Sequence, residues 1–299
     1  MIASTTPAPA KLFVWLRQLR VHQYTKNGLV FVPVLTAHAF TLSALSSSSL
    51  AFTAFCLCAS GAYIINDTVD IEADRQHPTK SKRPLAEGKI APAQVWVAVP
   101  LLLLFALLTA AAVSTRFLLV LVVYLGVTTA YTFWLKRKLL IDVITLSLLY
   151  TLRVIGGAVA IQVTLSEWLL AFSLLIFASL ALIKRYAELA NRLAVNVPEL
   201  PNRDYKLEDL SVISAIAAAA GFNAITVFAL YVSSDAVLQL YSRPRILWLI
   251  CPILMYWIAR ALILAHRGVM DDDPIVFALK DPVSFLAIGS IIVLTLAAI

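Results

Sequence analysis

The chain has 299 residues, of which 61% are hydrophobic and 14% charged, and its mean hydropathy is +0.87. Soluble domains average roughly 45–50% apolar and about 25% charged residues, so a soluble globular domain, a disordered chain and a secreted disulfide scaffold are excluded. The excess of 24 Lys and Arg over 17 Asp and Glu forms no basic stripe interleaved with aromatics, which argues against a nucleic-acid partner. It has to serve membrane orientation or an anionic substrate. Cys56, Cys58 and Cys251 lie in apolar runs without zinc-ligand spacing and read as packing residues.

In chain order, residues 11–22 come first and place Leu12, Phe13, Trp15, Leu16 and Leu19 on one helical face, with Lys11, Arg17, Gln18 and Arg20 elsewhere. This pattern suits the membrane interface. It lacks a signal-peptide core, so the N-terminus is expected to stay in place. Residues 1–27 therefore read as an N-terminal interfacial segment and residues 28–299 as a transmembrane domain. A spanning helix needs about 20 mostly apolar residues, and roughly nine stretches qualify. They cover residues 29–45, 50–66, 92–113, 117–135, 139–162, 167–183, 210–232, 246–265 and 282–299. The fold class is thus all-α, a polytopic membrane protein of about nine transmembrane helices.

Basic residues alternate between connections. Lys11, Arg17, Arg20 and Lys26 precede the first stretch; Arg75, Lys80, Lys82, Arg83 and Lys89 follow the second; Lys136, Arg137 and Lys138 follow the fourth; Lys184, Arg185, Arg192, Arg203 and Lys206 follow the sixth. Arg260, Arg267 and Lys280 flank the last connection, whereas the opposite loops carry only Arg116, Arg243 and Arg245. The cytoplasmic side retains Lys and Arg, so the N-terminus is predicted cytoplasmic and the C-terminus on the far side.

The acids are as unevenly placed. After the second stretch the chain reads Asn66-Asp67-Thr68-Val69-Asp70-Ile71-Glu72-Ala73-Asp74, then Arg75 to Pro84 with Lys80, Lys82 and Arg83. If the helix continues past the interface, Asp67, Asp70 and Asp74 share one face, and Pro78 ends the helix near His77. Like charges at that spacing repel unless a cation neutralises them. Mg²⁺ prefers hard oxygen ligands, often one or two carboxylates with substrate phosphates, and Lys80, Lys82 and Arg83 suit the remaining phosphate oxygens. The competing reading is a solvated acidic helix end.

Asn66-Asp67-x-x-Asp70-x-x-x-Asp74 with His77-Pro78-x-Lys80-x-x-Arg83-Pro84 resembles the first signature of the UbiA superfamily of intramembrane prenyltransferases. Leu19-Arg20-x-His22-Gln23-Tyr24-x-Lys26-Asn27, Leu152-Arg153-x-x-x-Gly157, Lys184-Arg185-Tyr186-Ala187-Glu188-Leu189 and Asp273-Pro274-x-x-Phe277-Ala278-Leu279-x-Asp281 are similar to its decaprenyl-phosphate phosphoribosyltransferase branch. The resemblance implies helices arranged around a central cavity, with catalytic loops on the cytoplasmic face of a bacterial inner membrane. There are departures. Tyr24 stands where the branch often has Trp, and Val21 where Pro is common. Tyr131 and Lys136 are five apart, where many members have a Tyr and a Lys four apart. Where aromatic-prenylating relatives usually carry a second pair of close Asp residues, this chain has Lys184, Arg185 and Glu188, and later Arg203-Asp204-Tyr205.

Two reactions fit these residues. One passes 5-phosphoribosyl from phosphoribosyl diphosphate to a polyprenyl phosphate, as in cell-envelope biosynthesis; the other passes a prenyl group from a polyprenyl diphosphate to an aromatic ring. The first donor and acceptor bring more phosphates, and the extra bases favour it. On that reading Asp67, Asp70 and Asp74 hold Mg²⁺, with Asn66 a ligand or orienting group. Lys80, Arg83, Lys184 and Arg185 hold donor phosphates, Lys26 the lipid phosphate, and Glu188 ribose hydroxyls or a second cation. Tyr131, Lys136, Arg153 and Tyr186 belong to the substrate-binding set. A non-enzymatic transporter or lipid scaffold is the third reading, disfavoured because the charges gather at one face and no repeat is evident. The oligomeric state is left open, a homo-oligomer included.

Asp142 and Arg153 both lie on the fifth stretch, too far apart along its axis to pair. Intramembrane charges usually face the bundle interior, so Arg153 reads equally as cavity wall and as structural glue. His77 is expected to be a loop hydrogen-bond partner, and Asp271-Asp272-Asp273 a solvated loop.

Overall fold

The computed structural model describes residues 8–76, 80–194, 204–270 and 274–299, and within them every regular element is helical. His77, Pro78, Arg203 and Asp271 to Asp273 lie outside the described residues. The α-helices are α1 (Ala8–Gln18), α2 (Val32–Thr36), α3 (Leu42–Val69), α4 (Ile71–Arg75), α5 (Pro92–Val113), α6 (Thr115–Phe133), α7 (Ile141–Ala160), α8 (Glu167–Ala194), α9 (Leu210–Val232), α10 (Asp235–Leu240), α11 (Ile250–His266), α12 (Pro274–Lys280) and α13 (Pro282–Ala298). Among the described residues seven helices are long and apolar enough to cross a membrane, and Pro282–Ala298 is a shorter apolar helix. The chain is a multi-pass, all-helical membrane protein.

The expectation of a helix over residues 29–45 is corrected. The chain there is a 3₁₀ helix over Val21–Phe31, the single turn α2, and then α3, which begins inside the expected first stretch and runs for 28 residues. His38, with φ 52, takes a left-handed conformation that continues no right-handed helix. Thr41 supplies the new start, its Oγ1 accepting from Ala44 N at 3.1 Å, an N-cap that satisfies an orphan amide.

Eleven residues is long for a 3₁₀ helix, which rarely exceeds one turn on its own. Side-chain contacts with α3 hold it. The Tyr24 hydroxyl meets Ser60 Oγ at 2.8 Å, Asn27 Nδ2 donates to Cys56 Sγ at 3.2 Å, and the Phe31 and Phe52 rings lie 5.9 Å apart. Contacts that climb one chain while descending the other mark an antiparallel run. At about 2.0 Å per residue the segment covers roughly 22 Å, much of a hydrocarbon core of about 30 Å. It therefore runs antiparallel alongside α3 without being an α-helix.

The chain divides into two compact units: Met1–Val34, Phe40–Thr132 and Arg153–Gln162 form the first, and Leu35–Ala39, Phe133–Leu152 and Val163–Ile299 the second. In the first, α3 packs chiefly on α5. Ile64, Leu85, Ile90 and Val95 form a buried cluster at the charged end of α3, covered by Val14, Trp15, Leu19 and Ile71. The apolar face expected over residues 11–22 is thus shared out: Trp15 and Leu19 pack inward, while Leu12 and Phe13 are each 63% exposed. Gly157 admits the 3₁₀ segment, since a Cβ there would lie 2.1 Å from the Val30 carbonyl oxygen. One turn earlier Arg153 Nε donates to Asn27 Oδ1 at 2.8 Å and its Nη2 to the Tyr124 hydroxyl at 2.8 Å. Arg153 and Gly157 thus form one docking strip for residues 27–30.

In the second unit α8 packs chiefly on α9. The Ser179 hydroxyl of α8 donates to Ala217 O at 2.7 Å, and a Cβ on Gly221 would lie 2.8 Å from that hydroxyl oxygen. Arg260 of α11 forms a two-point ion pair with Asp281, at 2.6 and 2.9 Å, and Asp281 caps α13 by accepting from Ser284 N at 2.8 Å. Helix α8 extends well beyond the expected residues 167–183, so Lys184 to Leu189 are helical.

Candidate active site

Asp67 lies in the last turn of α3, its side chain 3% exposed. The helix does not continue unbroken to Asp74. It ends at Val69, Asp70 adopts a non-helical cap conformation with φ −95 and ψ 10, and the chain resumes as α4. The break lets Ile71 pack on the Ile64 cluster while Asp67 and Asp74 turn to a common partner. That partner is Arg83, whose Nη1 lies 3.0 Å from Asp67 Oδ1 and 2.5 Å from Asp74 Oδ2. Arg20 also donates to Asp67 Oδ1. The other Asp67 oxygen accepts from Gln18 Nε2 at 3.0 Å, and Gln18 Oε1 accepts from Leu85 N at 3.2 Å. Gln18 is buried, although its sequence position suggested a polar outer face.

Asn66 and Asp70 are half-buried at the same end of α3, and Lys80 is half-buried in the short 3₁₀ turn Lys80–Lys82. Lys26 is buried within the 3₁₀ helix Val21–Phe31. Because Gln18 and Arg20 touch Asp67, the end of α1 lies at the same end of α3 as α4.

The second unit holds another charged cluster. Asp142 and Arg185 are both fully buried, with Arg185 Nε 3.0 Å from Asp142 Oδ2. Arg185 Nη1 also pairs with Glu188, one turn on. The Tyr205 hydroxyl donates to Asp142 Oδ1 at 2.5 Å and accepts from Leu140 N at 3.1 Å. Burial, with the Asp142 carboxylate beside it, pushes the Tyr205 phenol above its ordinary value, so it remains a donor at neutral pH. The Tyr186 hydroxyl lies 2.7 Å from His266 Nδ1. Lys184 and Glu188 are half-buried on α8, Lys136 is buried in the turn Leu135–Arg137, and Tyr131 is half-buried on α6, in the first unit.

The structure therefore gathers Asp67, Asp74 and Arg83 in one unit and Arg185 and Glu188 in the other. Sequence reasoning missed Gln18, Arg20, Asp142 and Tyr205 as parts of these clusters. Arg20 had one signal, its place in the Leu19-Arg20-x-His22-Gln23 motif; the others meet partners 43 or more residues away.

Among the described residues no three His, Cys, Asp or Glu side chains gather to hold a metal ion. The fit to Mg²⁺ rests on Asp67 and Asp74. They present the hard oxygens that ion prefers, and a cation, the Arg83 guanidinium, already bridges them. The donor chemistry suits a divalent ion.

Comparison with known proteins agrees with the helical architecture. A solved UbiA homolog from Archaeoglobus fulgidus, bound to GPP and Mg²⁺, superposes with a TM-score of 0.69 over 95% of this chain and 99% of its own, at 18% identity. The decaprenyl-phosphate phosphoribosyltransferase of Mycobacterium tuberculosis is 37% identical over 192 residues, 62% of this chain and 63% of that protein. The nodulation protein NoeC of Azorhizobium caulinodans is 35% identical over 90% of this chain and 88% of its own length. The uncharacterized protein y4nM of Sinorhizobium fredii is 37% identical over 93% of this chain, which spans only 54% of that protein. The UbiA prenyltransferase family model matches residues 30–289. The chain belongs to the UbiA prenyltransferase family, a family of membrane transferases.

Proposed function

We propose that the chain transfers 5-phosphoribosyl from phosphoribosyl diphosphate to a polyprenyl phosphate at the cytoplasmic face of a bacterial inner membrane, with its N-terminus cytoplasmic. The observation that carries this reading is the bridging of Asp67 and Asp74 by Arg83 at the basic end of α3. It sets a cation suited to diphosphate oxygens beside carboxylates suited to a hard metal ion. Similarity to the phosphoribosyltransferase over 192 residues supports the choice of donor.

On this reading Asp67, Asp70 and Asp74, with Asn66, hold Mg²⁺, which supplies Lewis-acid stabilisation of the departing diphosphate. Lys80 and Arg83 bind phosphate oxygens, Arg as a fork and Lys as a point charge. Lys184 contributes further positive charge toward the donor, Lys26 meets the lipid phosphate, and Glu188, held by Arg185, meets the ribose hydroxyls. Tyr131, Lys136, Arg153 and Tyr186 shape the substrate environment, Arg153 through its hold on Asn27. The bond from C1 of the ribose to diphosphate breaks, and the electron pair leaves with the diphosphate. An oxygen of the polyprenyl phosphate forms the new bond to C1. No side chain need act as base, because a phosphate monoester is already largely ionised at neutral pH.

Prenyl transfer to an aromatic acceptor is the second reading, favoured by the likeness to a homolog solved with GPP and Mg²⁺. Parallel incubations of purified protein with Mg²⁺ decide between them. One receives phosphoribosyl diphosphate and polyprenyl phosphate, the other a prenyl diphosphate and 4-hydroxybenzoate. A lipid carrying a new sugar phosphate in the first tube alone is expected; product in the second alone overturns the proposal.

A further inference from the structure

We propose that the Arg83 guanidinium is an internal cation which a divalent ion replaces only together with a diphosphate, so that metal and donor enter the Asp67–Asp74 carboxylates as one unit. The inference deepens the proposed function and rests on it for the identity of the donor.

Geometry and charge point the same way. A single nitrogen, Arg83 Nη1, lies within 3.0 Å of both carboxylates, and Arg20 adds a second guanidinium on Asp67. The two acids are thereby balanced by the two arginines. A divalent ion arriving alone has to approach two guanidinium charges already paired with Asp67 and Asp74 in partly buried surroundings, where poorly compensated charge is costly. The same ion arriving on a diphosphate brings its own negative charge. The phosphate oxygens also offer Arg83 a new acceptor matched to its planar fork.

The surroundings allow Arg83 to move and keep Asp67 still. The Arg83 side chain retains 26% of its surface, and its backbone is fixed by hydrogen bonds from Arg83 N to Lys80 O at 2.9 Å and from Glu87 N to Arg83 O at 2.8 Å. Only the side chain has to swing. Asp67 is held on its other oxygen by Gln18, which is locked in turn by Leu85 N. Gln18 is therefore a positioning residue that preserves the carboxylate's orientation when Arg83 departs.

The test titrates Mn²⁺, read by electron paramagnetic resonance, into the whole protein in lipid nanodiscs without any donor. Wild type should bind weakly. Arg83→Gln should bind at least about tenfold more tightly, the scale of one lost charge-assisted contact, while Arg83→Lys stays near wild type. Equal donor-free affinity in wild type and a folded Arg83→Gln overturns the proposal. A second arm needs no variant: inorganic diphosphate should raise the wild-type affinity for Mn²⁺ about tenfold, after correction for complexes in solution, and no rise overturns it. Phosphoribosyl transfer measured on the same preparation separates the two claims. Transfer without anion-dependent Mn²⁺ binding defeats the exchange and leaves the proposed function standing. Anion-dependent binding without such transfer upholds the exchange and counts against the donor.

Discussion

Asp67 and Asp142 each sit at a helix end with an arginine and a second acid nearby, yet their surroundings differ in access. Around Asp67, the Arg20 and Arg83 side chains keep 14% and 26% of their surface. Around Asp142, neither that carboxylate nor Arg185 exposes any. A pair that touches water can trade one partner for another, because the freed charge is resolvated as it moves. A sealed pair cannot, since either member left alone is a buried uncompensated charge. The first cluster is therefore suited to exchange with ligands, and the second to holding α7, α8 and Tyr205 in register.

The largest effect is expected at the accessible cluster. Asp67→Asn should lower phosphoribosyl transfer by at least about a hundredfold while the protein still inserts and keeps its helical circular dichroism; retained turnover would remove Asp67 from the site. Asp142→Ala should act on the sealed cluster through stability. It leaves Arg185 and Tyr205 short of an acceptor and should cost about 3–5 kcal/mol, read as a lower unfolding midpoint in detergent. A loss below about 1 kcal/mol, the worth of an exposed pair, would erase the distinction between the two regions.

Arg83→Ala should weaken donor binding by about 1.5–3 kcal/mol; unchanged donor affinity would contradict an exchanging arginine. The smallest effect is expected at the Arg260–Asp281 pair. Asp281→Ala removes a helix cap and should cost about 0.5–2 kcal/mol. Its pH dependence has a definite sign. Arg260, hydrogen-bonded to Asp281, holds that carboxyl down at about 2, below its ordinary 3.8. The stabilisation is therefore full above about pH 4 and fades as pH falls toward 2. Unfolding midpoints of wild type and the variant should converge across that interval and run parallel above it.

Long apolar periods made most helices legible. The expected stretches 92–113 and 210–232 coincide with α5 and α9, because uninterrupted hydrophobic runs bounded by Pro or polar residues leave little choice. The segment Val21–Phe31 was not legible as a 3₁₀ helix. Its conformation depends on Ser60, Cys56 and Gly157, none of which is local. The same distinction applies to the candidate site. The Asp67, Asp70, Asp74 and Arg83 run announces itself within one loop, whereas Gln18 and Tyr205 acquire meaning only when the fold brings them to a carboxylate. Arg153 illustrates both: its charge within an apolar helix marked it as interior, but its partners Asn27 and Tyr124 come from elsewhere in the chain.

The most direct measurement is an experimental structure with Mn²⁺ and phosphoribosyl diphosphate bound, the ion located by its anomalous signal. The expected map has the ion at the Asp67 and Asp74 carboxylates, Arg83 withdrawn onto phosphate oxygens, and the Asp142–Arg185–Glu188 pairing unchanged. A map in which Arg83 still bridges Asp67 and Asp74 while the metal and donor bind elsewhere would contradict it.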